Sequence, residues 1–381
     1  MKIDKTRPDH WLMLALQGGF SLLIVALRWL TPRSKRPVVA LYGHQYGGNL
    51  KAIYEYLASH CSDQVDPRVL LLDRQQAHRL RADGIRTLSC TNLFDMLQLV
   101  RCRVLVSDHG LHAMLPLVHL TDIRFVDVWH GIPFKGFVPD DFKLQHHYDE
   151  SWVTSPLLED LYVQRFGFRQ QQVHSLGYAR TDQLFSAEAR PADKQTTVLY
   201  APTWRQDDAG RELFPFGLEG AAFIRAIAAT CDAYGARLII RSHLNAEIQE
   251  TGLSNVEFRP QKAYPDTEAL LADTDILLCD WSSIAFDFLC LQRPMLFIDV
   301  PPPFKNGFSL GPEYRAGAVA STMTELVATL EEFLDKPRTF TARYGAMQRE
   351  ILDALYAEDT RGRAAALQSA RVLRLAGTTT P

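Results

Sequence analysis

Hydrophobic and polar positions along this 381-residue chain fall into three regimes. Over residues 11–30 nearly every position is apolar, broken by Gln17, Gly18, Gly19 and Arg28. A basic cluster of Arg28, Arg33, Lys35 and Arg36 follows, with Pro32 and Pro37 ending any helix. After Pro37, short apolar runs at 38–42, 69–72, 103–107 and 123–129 predict strands, and helices are expected at 49–60 and 94–102. Residues 148–154 and 173–176 continue the alternation. The polar stretch 186–197 reads as a linker. Beyond it the alternation restarts, with strands at 198–201, 237–240, 256–258, 276–279 and 295–298. Helices are expected at 220–234, 266–272 and 284–291, and closing helices begin near Thr324 and Thr341.

Apolar strands alternating with helices mark a parallel sheet covered on both faces. The expected fold is therefore α/β, with two Rossmann-like doubly wound domains and an N-terminal hydrophobic helix. The expected division is 1–36 as a membrane-associating segment, 37–190 and 191–340 as the two domains, and 341–381 as C-terminal helices. Residues 11–30 are close to the about 20 residues that cross a bilayer. Their basic flank suits a cytoplasmic side, and Trp11 and Trp29 suit an interface. Membrane attachment at the cytoplasmic face is expected, whether the segment spans or lies on the surface, with a buried core helix as the alternative. A cleaved signal peptide is disfavoured, because no small-residue cleavage site follows.

Composition changes this picture little. Hydrophobic residues make up 47% and charged residues 22%, enough for ordinary cores. With 41 basic against 44 acidic residues the net charge is −3, so no overall pull toward nucleic acid exists. An anionic ligand must be held by local groups. The six cysteines are scattered without a CxxC pair, which points to buried thiols and not to a disulfide framework or zinc site. No acidic pair of DxD type stands at a strand end, and Asp207-Asp208 reads as the cap of a solvated loop. No resident metal or cofactor is expected, although Mg²⁺ carried by substrate phosphates is compatible with the sequence.

The chemistry-bearing residues collect where predicted strands end, the edge at which doubly wound sheets bind ligands. Asp280-Trp281-Ser282-Ser283-Ile284-Ala285-Phe286-Asp287 follows the strand at 276–279. A strand that ends in two hydroxyls and a helix start aims free N–H groups at one spot, a site for an anion, most often phosphate. The plain alternative is a serine N-cap. His130, followed by Gly131, is placed to take a proton near neutrality, unless it is only a turn histidine. Arg241 and His243 offer a fork of donors to phosphate oxygens, or a surface ion pair. Arg205 closes the block Tyr200-Ala201-Pro202-Thr203-Trp204-Arg205. Gly177-Tyr178-Ala179-Arg180-Thr181-Asp182 reads as a turn in which Arg180 and Asp182 could pair.

Together these blocks resemble the CDP-glycerol glycerophosphotransferase family, the teichoic-acid and capsule polymer enzymes of the TagB and TagF type. The family's Trp-His-Gly-x-Pro is matched at 129–133, its Gly-x-x-Arg-x-Asp at Gly177, Arg180 and Asp182, and its Tyr-Ala-Pro-Thr-Trp-Arg without change at 200–205. Arg-x-His is matched at Arg241 and His243. Asp-Tyr-Ser-Ser-x-x-Phe-Asp is matched at 280–287, with Trp281 in place of Tyr. The segment 43–51, containing Gly48 and Asn49, looks like the family's entry loop. The resemblance covers roughly residues 40 to 335.

The resemblance implies a GT-B fold whose two domains face across a cleft. It also implies transfer of glycerol phosphate from CDP-glycerol to a hydroxyl of a lipid-linked or polymeric acceptor, with release of CMP. On this reading His130 is the general base, while His243 and Arg241 hold the pyrophosphate and neutralise the departing CMP. Ser282 and Ser283 bind phosphate, Arg205 assists, and Asp280 or Asp287 orients loop or ribose. Gly48, Asn49, Arg180 and Asp182 are acceptor-side or structural. The rivals are a CDP-ribitol or nucleotide-sugar enzyme of the same fold, and an inactive membrane-bound scaffold. Oligomeric state is not legible.

Overall fold

The computed structural model describes residues 8–32, 34–110, 114–188, 191, 193–203, 215–241, 252–261 and 263–378. They form two compact units. Unit 1 comprises Met1–His130, Val138–Asp182 and Tyr356–Pro381, and unit 2 comprises Gly131–Phe137 and Gln183–Leu355. The division expected from the sequence cuts the chain once between two sheets. The observed units exchange chain at four places, because a seven-residue excursion and the last helix each pack against sequence-distant partners.

Unit 1 runs α1 (Pro8–Leu30), β1 (Val38–Gly43), α2 (Gly48–His60), β2 (Asp66–Leu71), α3 (Arg74–Ala82), β3 (Thr87–Ser89) and α4 (Leu93–Leu97). It continues with β4 (Cys102–Ser107), α5 (Leu115–Leu120), β5 (Arg124–Asp127), β6 (Glu150–Val153), α6 (Pro156–Gln164), β7 (Val173–Ser175) and the start of α7 (Asp182–Phe185). Among the described residues its seven strands are all parallel, in the order β3-β2-β1-β4-β5-β6-β7. Strand order reverses between β1 and β4, which opens a crevice at their carboxyl ends.

Side chains alternate across the pleat, so Val39 and Leu41 of β1 enter one core with Leu50, Ile53 and Leu57 of α2. Val38, Ala40 and Tyr42 enter the opposite core with Ile24 of α1 and Leu117 of α5. Helix α2 forms because Leu50, Ile53, Tyr54 and Leu57 recur at helical spacing and are all buried.

Unit 2 runs β8 (Thr197–Ala201), α8 (Gly220–Ala233), β9 (Arg237–Ile240), β10 (Val256–Phe258), α9 (Thr267–Ala272) and β11 (Ile276–Cys279). Then come α10 (Ile284–Leu289), β12 (Met295–Ile298), β13 (Ala318–Ala320), α11 (Met323–Asp335) and α12 (Pro337–Leu355), before α13 (Ala364–Ala376) returns to unit 1. Its described strands are again parallel, in the order β10-β9-β8-β11-β12-β13. The excursion at 131–137 is built into this unit. Phe134 packs 4.3 Å from the ring of Phe286, Ser309 N–H donates to Phe134 O at 2.8 Å, and Gly136 N–H donates to Gly307 O at 2.7 Å. A Cβ at Gly136 would collide with the carbonyls of Asn306 and Gly307.

Several sequence expectations shift. The strand expected at 123–129 stops at Asp127, because Trp129 takes φ 37° and leaves the sheet. The helix expected at 94–102 splits into α4 and a 3-10 turn at Gln98–Arg101. All six cysteines are buried thiols.

The membrane-spanning reading of the N-terminus is not supported. Helix α1 forms, yet no helix among the described residues is long and apolar enough to cross a membrane. Its inward face is partly polar. Gln17 and Ser21 are buried, and Arg28 turns inward to donate to the carbonyls of Val100 (3.0 Å) and Cys102 (2.6 Å) and to pair with Asp122. Trp11, Leu12, Leu16, Leu22, Leu23, Trp29 and Leu30 face outward.

Candidate active site

In unit 1 three imidazoles meet at the switch point. His44 follows β1, His109 follows β4 and His130 follows β5. The rings of His44 and His109 lie 4.1 Å apart, and His109 stacks on His130 at 5.0 Å with 10° between planes. Asp108 orients two of them. Its carboxylate accepts from His109 Nδ1 at 2.7 Å, and its carbonyl accepts from His130 Nδ1 at 3.3 Å. A carbonyl can only accept, so in neutral His130 the proton sits on Nδ1 and the Nε2 lone pair is available as a base.

Crowding by the surrounding protein comes first in holding His130 below its ordinary pKa, to about 4, followed by repulsion from His109. The residue still keeps open surface. Solvent at that surface moderates the shift. His44 is pushed down to about 4 by burial and by His109.

The turn that projects His130 is braced from below. Asn49 is buried, and its Nδ2 donates to the carbonyls of Val128 and Trp129, both at 3.1 Å, while its Oδ1 accepts from Arg180 N at 3.2 Å. One amide thereby ties α2, the end of β5 and the Gly-x-x-Arg block together. Gly48 supplies the φ of +53° that starts α2 there. Asp127 lies beneath, fully buried. Burial raises its pKa to about 7, against hydrogen bonds from Ser151 and the Trp129 N–H.

The Arg180–Asp182 pair envisaged from the sequence does not form. Asp182 instead caps α13, accepting from the N–H groups of Ala364 and Ala365 at 2.8 Å each. Gly177 takes φ +76° against the same helix, where a Cβ would come within 2.6 Å of Ala364 Cβ, and Gln368 Nε2 donates to its carbonyl at 2.6 Å. The Gly177 and Asp182 positions dock the C-terminal helix. Arg180 stays near the histidines, with its guanidinium 4.9 Å from the Tyr178 ring and its charge felt at His130.

In unit 2, Asp280 is buried at the end of β11 and binds Thr203 through its N–H (2.7 Å) and its hydroxyl. It thus fixes Thr203 just past the end of β8. Trp281 donates to Val300 O at 2.7 Å and lies under Arg315, 4.5 Å from its guanidinium. Ser282 is half-buried and Ser283 exposed. Ser283 is the N-cap residue of α10, yet its side chain makes no capping bond. Asp287 is buried in the first turn of that short helix, where a carboxylate complements the helix dipole. Arg241 is buried, donating to Tyr264 O at 3.0 Å and Thr267 Oγ1 at 2.7 Å. Arg205 and His243, with Asp207 and Asp208, lie outside the described residues.

His44, Asp108, His109 and Asp127 were missed in the sequence. A signal was present: Gly43-His44 and His109-Gly110 stand at strand ends just as His130-Gly131 does. Among the described residues no group of three or more His, Cys, Asp or Glu could hold a metal ion.

Comparison with known proteins covers most of the chain. The "Teichoic acid poly(glycerol phosphate) polymerase" of Bacillus subtilis is 26% identical over 350 residues, which is 82% of this chain and 45% of that protein. The "Teichoic acid glycerol-phosphate transferase" of Staphylococcus aureus is 24% identical over 336 residues, 77% of this chain and 82% of that protein. This chain therefore spans under half of the polymerase but most of the transferase. Ribitol-phosphate enzymes also occur among the relatives. A solved structure of the wall teichoic acid polymerase TagF, soaked with CDPG, aligns with a TM-score of 0.73 over 95% of this chain and 94% of that one, at 16% identity, and so shares its fold. The family model for CDP-Glycerol:Poly(glycerophosphate) glycerophosphotransferase matches residues 23–355, and the chain belongs to that family.

Proposed function

We propose that the protein transfers glycerol phosphate from CDP-glycerol to a hydroxyl of a polymeric or lipid-linked acceptor, in the building of a wall-type polymer. The supporting observation is His130, held at Nδ1 by the Asp108 carbonyl so that Nε2 is left to accept a proton. As the acceptor oxygen bonds to the glycerol-bearing phosphorus, its proton passes to His130. The phosphorus–oxygen bond to the cytidylate breaks, and CMP leaves with the electron pair. Such a transfer needs positioning and charge stabilisation more than covalent help from the protein.

The division of labour is that of a GT-B enzyme, with unit 1 as the acceptor half and unit 2 as the donor half. Arg241, Ser282 and Ser283, with Arg205 and His243 assigned by the family motif, serve the diphosphate. Asp280 serves them by fixing Thr203. Mg²⁺ would enter with the substrate.

The outward apolar face of α1, with Trp11 and Trp29 at its two ends, supports peripheral attachment to a membrane surface that carries the acceptor. CDP-ribitol is the second reading of the donor, favoured by the ribitol-phosphate enzymes among the relatives.

Mass spectrometry of products formed from CDP-glycerol or CDP-ribitol with a glycerol phosphate oligomer tests the proposal. CMP release together with a lengthened acceptor supports it. An enzyme that turns over neither donor contradicts it.

A further inference from the structure

The base needs one imidazole, yet the switch point of unit 1 gathers three, together with a buried arginine. We propose that this crevice is an anion subsite, in which His44, His109 and Arg180 hold a phosphate already present at the acceptor's end while His130 takes the proton of the attacking hydroxyl. For the identity of the acceptor this rests on the glycerophosphate-transfer reading. It adds a chemical requirement to that reading: the preferred acceptor ends in a phosphate-bearing polyol, not in a neutral sugar.

Three observations carry it. The first is position. His44 and His109 follow β1 and β4, the two strands between which the sheet order reverses, where doubly wound sheets take their ligands. The second is charge. Among the described residues, the charged or titratable groups felt at His130 are His109, Asp108 and Arg180, with His44 beside His109. The Asp108 carboxylate is engaged by His109 Nδ1, and the His109 side chain stays partly exposed. Asp127 lies beneath, fully buried. The third is mutual repulsion. Rings 4.1 Å and 5.0 Å apart disfavour each other's protonation, and His44 and His130 are held below the ordinary histidine value by burial first and by His109 second. A phosphate in contact with them would relieve that repulsion and gain charge-assisted hydrogen bonds.

His44 and His109 are each half-exposed, so a ligand can reach them. In a glycerol phosphate terminus the phosphate and the terminal hydroxyl sit at opposite ends of one glycerol unit. Holding the first therefore places the second beside its neighbour His130.

The donor's diphosphate is the other source of the same chemistry, and the experiment separates the two. Calorimetric titration of the full chain uses glycerol 3-phosphate, glycerol and CDP as probes, with His44→Gln and His109→Gln as variants. Glycerol 3-phosphate is expected to bind the unaltered protein and to bind each variant about ten-fold more weakly. CDP affinity is expected to stay within about two-fold, and glycerol to give no measurable heat.

Unchanged glycerol 3-phosphate binding in both variants would overturn the proposal. So would a parallel loss of CDP affinity, which would hand the crevice to the donor. Should a variant misfold, histidine ring resonances of the unaltered protein decide: His44 and His109 shifting with glycerol 3-phosphate supports the subsite, and unmoved rings refute it. Absence of CMP release from any CDP-polyol would defeat the proposed function while leaving these binding results readable.

Discussion

Asp108 fixes the tautomer of His130, since its main-chain carbonyl lies 3.3 Å from Nδ1 and can only accept a proton. A side-chain substitution at 108 leaves that carbonyl in place, so the base is oriented by the backbone. His130→Ala is expected to lower CMP release by about 10²- to 10⁴-fold, the usual contribution of a positioned base. Steady-state kinetics with folding checked by circular dichroism measures this, and near-normal turnover would remove His130 from the reaction.

The acid limb of kcat/KM, which reports the free enzyme, should show the same residue. A base works only when unprotonated, so activity is lost as pH falls through its pKa. Crowding and the neighbouring His109 hold that pKa below the ordinary 6.5, toward about 4. Activity should therefore persist at pH 6, with the limb lying below the ordinary histidine value. A midpoint at or above 6.5 would contradict this environment.

Asp127 gives a stability prediction of opposite sense to that of a paired carboxylate. Its folded pKa is raised to about 7 by burial, above the unfolded value. Between those two values the folded chain binds more protons than the unfolded chain, so this group's contribution to stability falls as pH rises. Asp127→Asn should raise the melting temperature at pH 8 more than at pH 5. Equal effects at both pH values would show that the carboxyl ionises as freely when folded.

The Gly-x-x-Arg-x-Asp block should split into two phenotypes. Asp182→Ala removes the cap of α13 and should cost about 1 kcal/mol in denaturant unfolding, whereas Asp182→Asn, which keeps an acceptor, should cost less. Arg180→Gln should instead raise KM for a phosphate-bearing acceptor with little change in stability. Reversed phenotypes would exchange the two roles.

Membrane attachment can be probed without disturbing the core. Leu12→Gln, Leu16→Gln and Leu23→Gln together alter only the outward face of α1, leaving the buried Gln17, Ser21 and Ile24 in place. Co-sedimentation with anionic vesicles should fall while circular dichroism is unchanged. Vesicle binding that survives would place the membrane contact elsewhere.

The sheets were legible because buried parallel strands such as residues 38–43 and 276–279 are uninterrupted apolar runs. The short strands β3 and β13 were not, since Thr-Leu-Ser and Ala-Val-Ala carry no such run. The serine pair and His130 stood out by their strand-end setting. His44 and His109 shared that setting, but their meeting depends on strand order, which local pattern does not encode. Asp182 read as chemistry because its partners, Ala364 and Ala365, lie far along the chain. Whether residues 11–30 span, lie on a membrane or join a core stayed open, because hydropathy counts apolar positions without saying which face turns inward.

The excursion at 131–137 governs how this protein can be dissected. Ile132 and Phe134 are almost wholly buried, and Phe134 packs on Trp281 and Phe286 of the second unit, although both closely follow the base. A fragment cut at the apparent linker would strand those two side chains in water and lose the final helix that completes its own core. Expressing the lobes separately should yield aggregating halves, and a permutant or co-expressed pair would have to carry residues 131–137 on the strand of chain that keeps them beside Phe286.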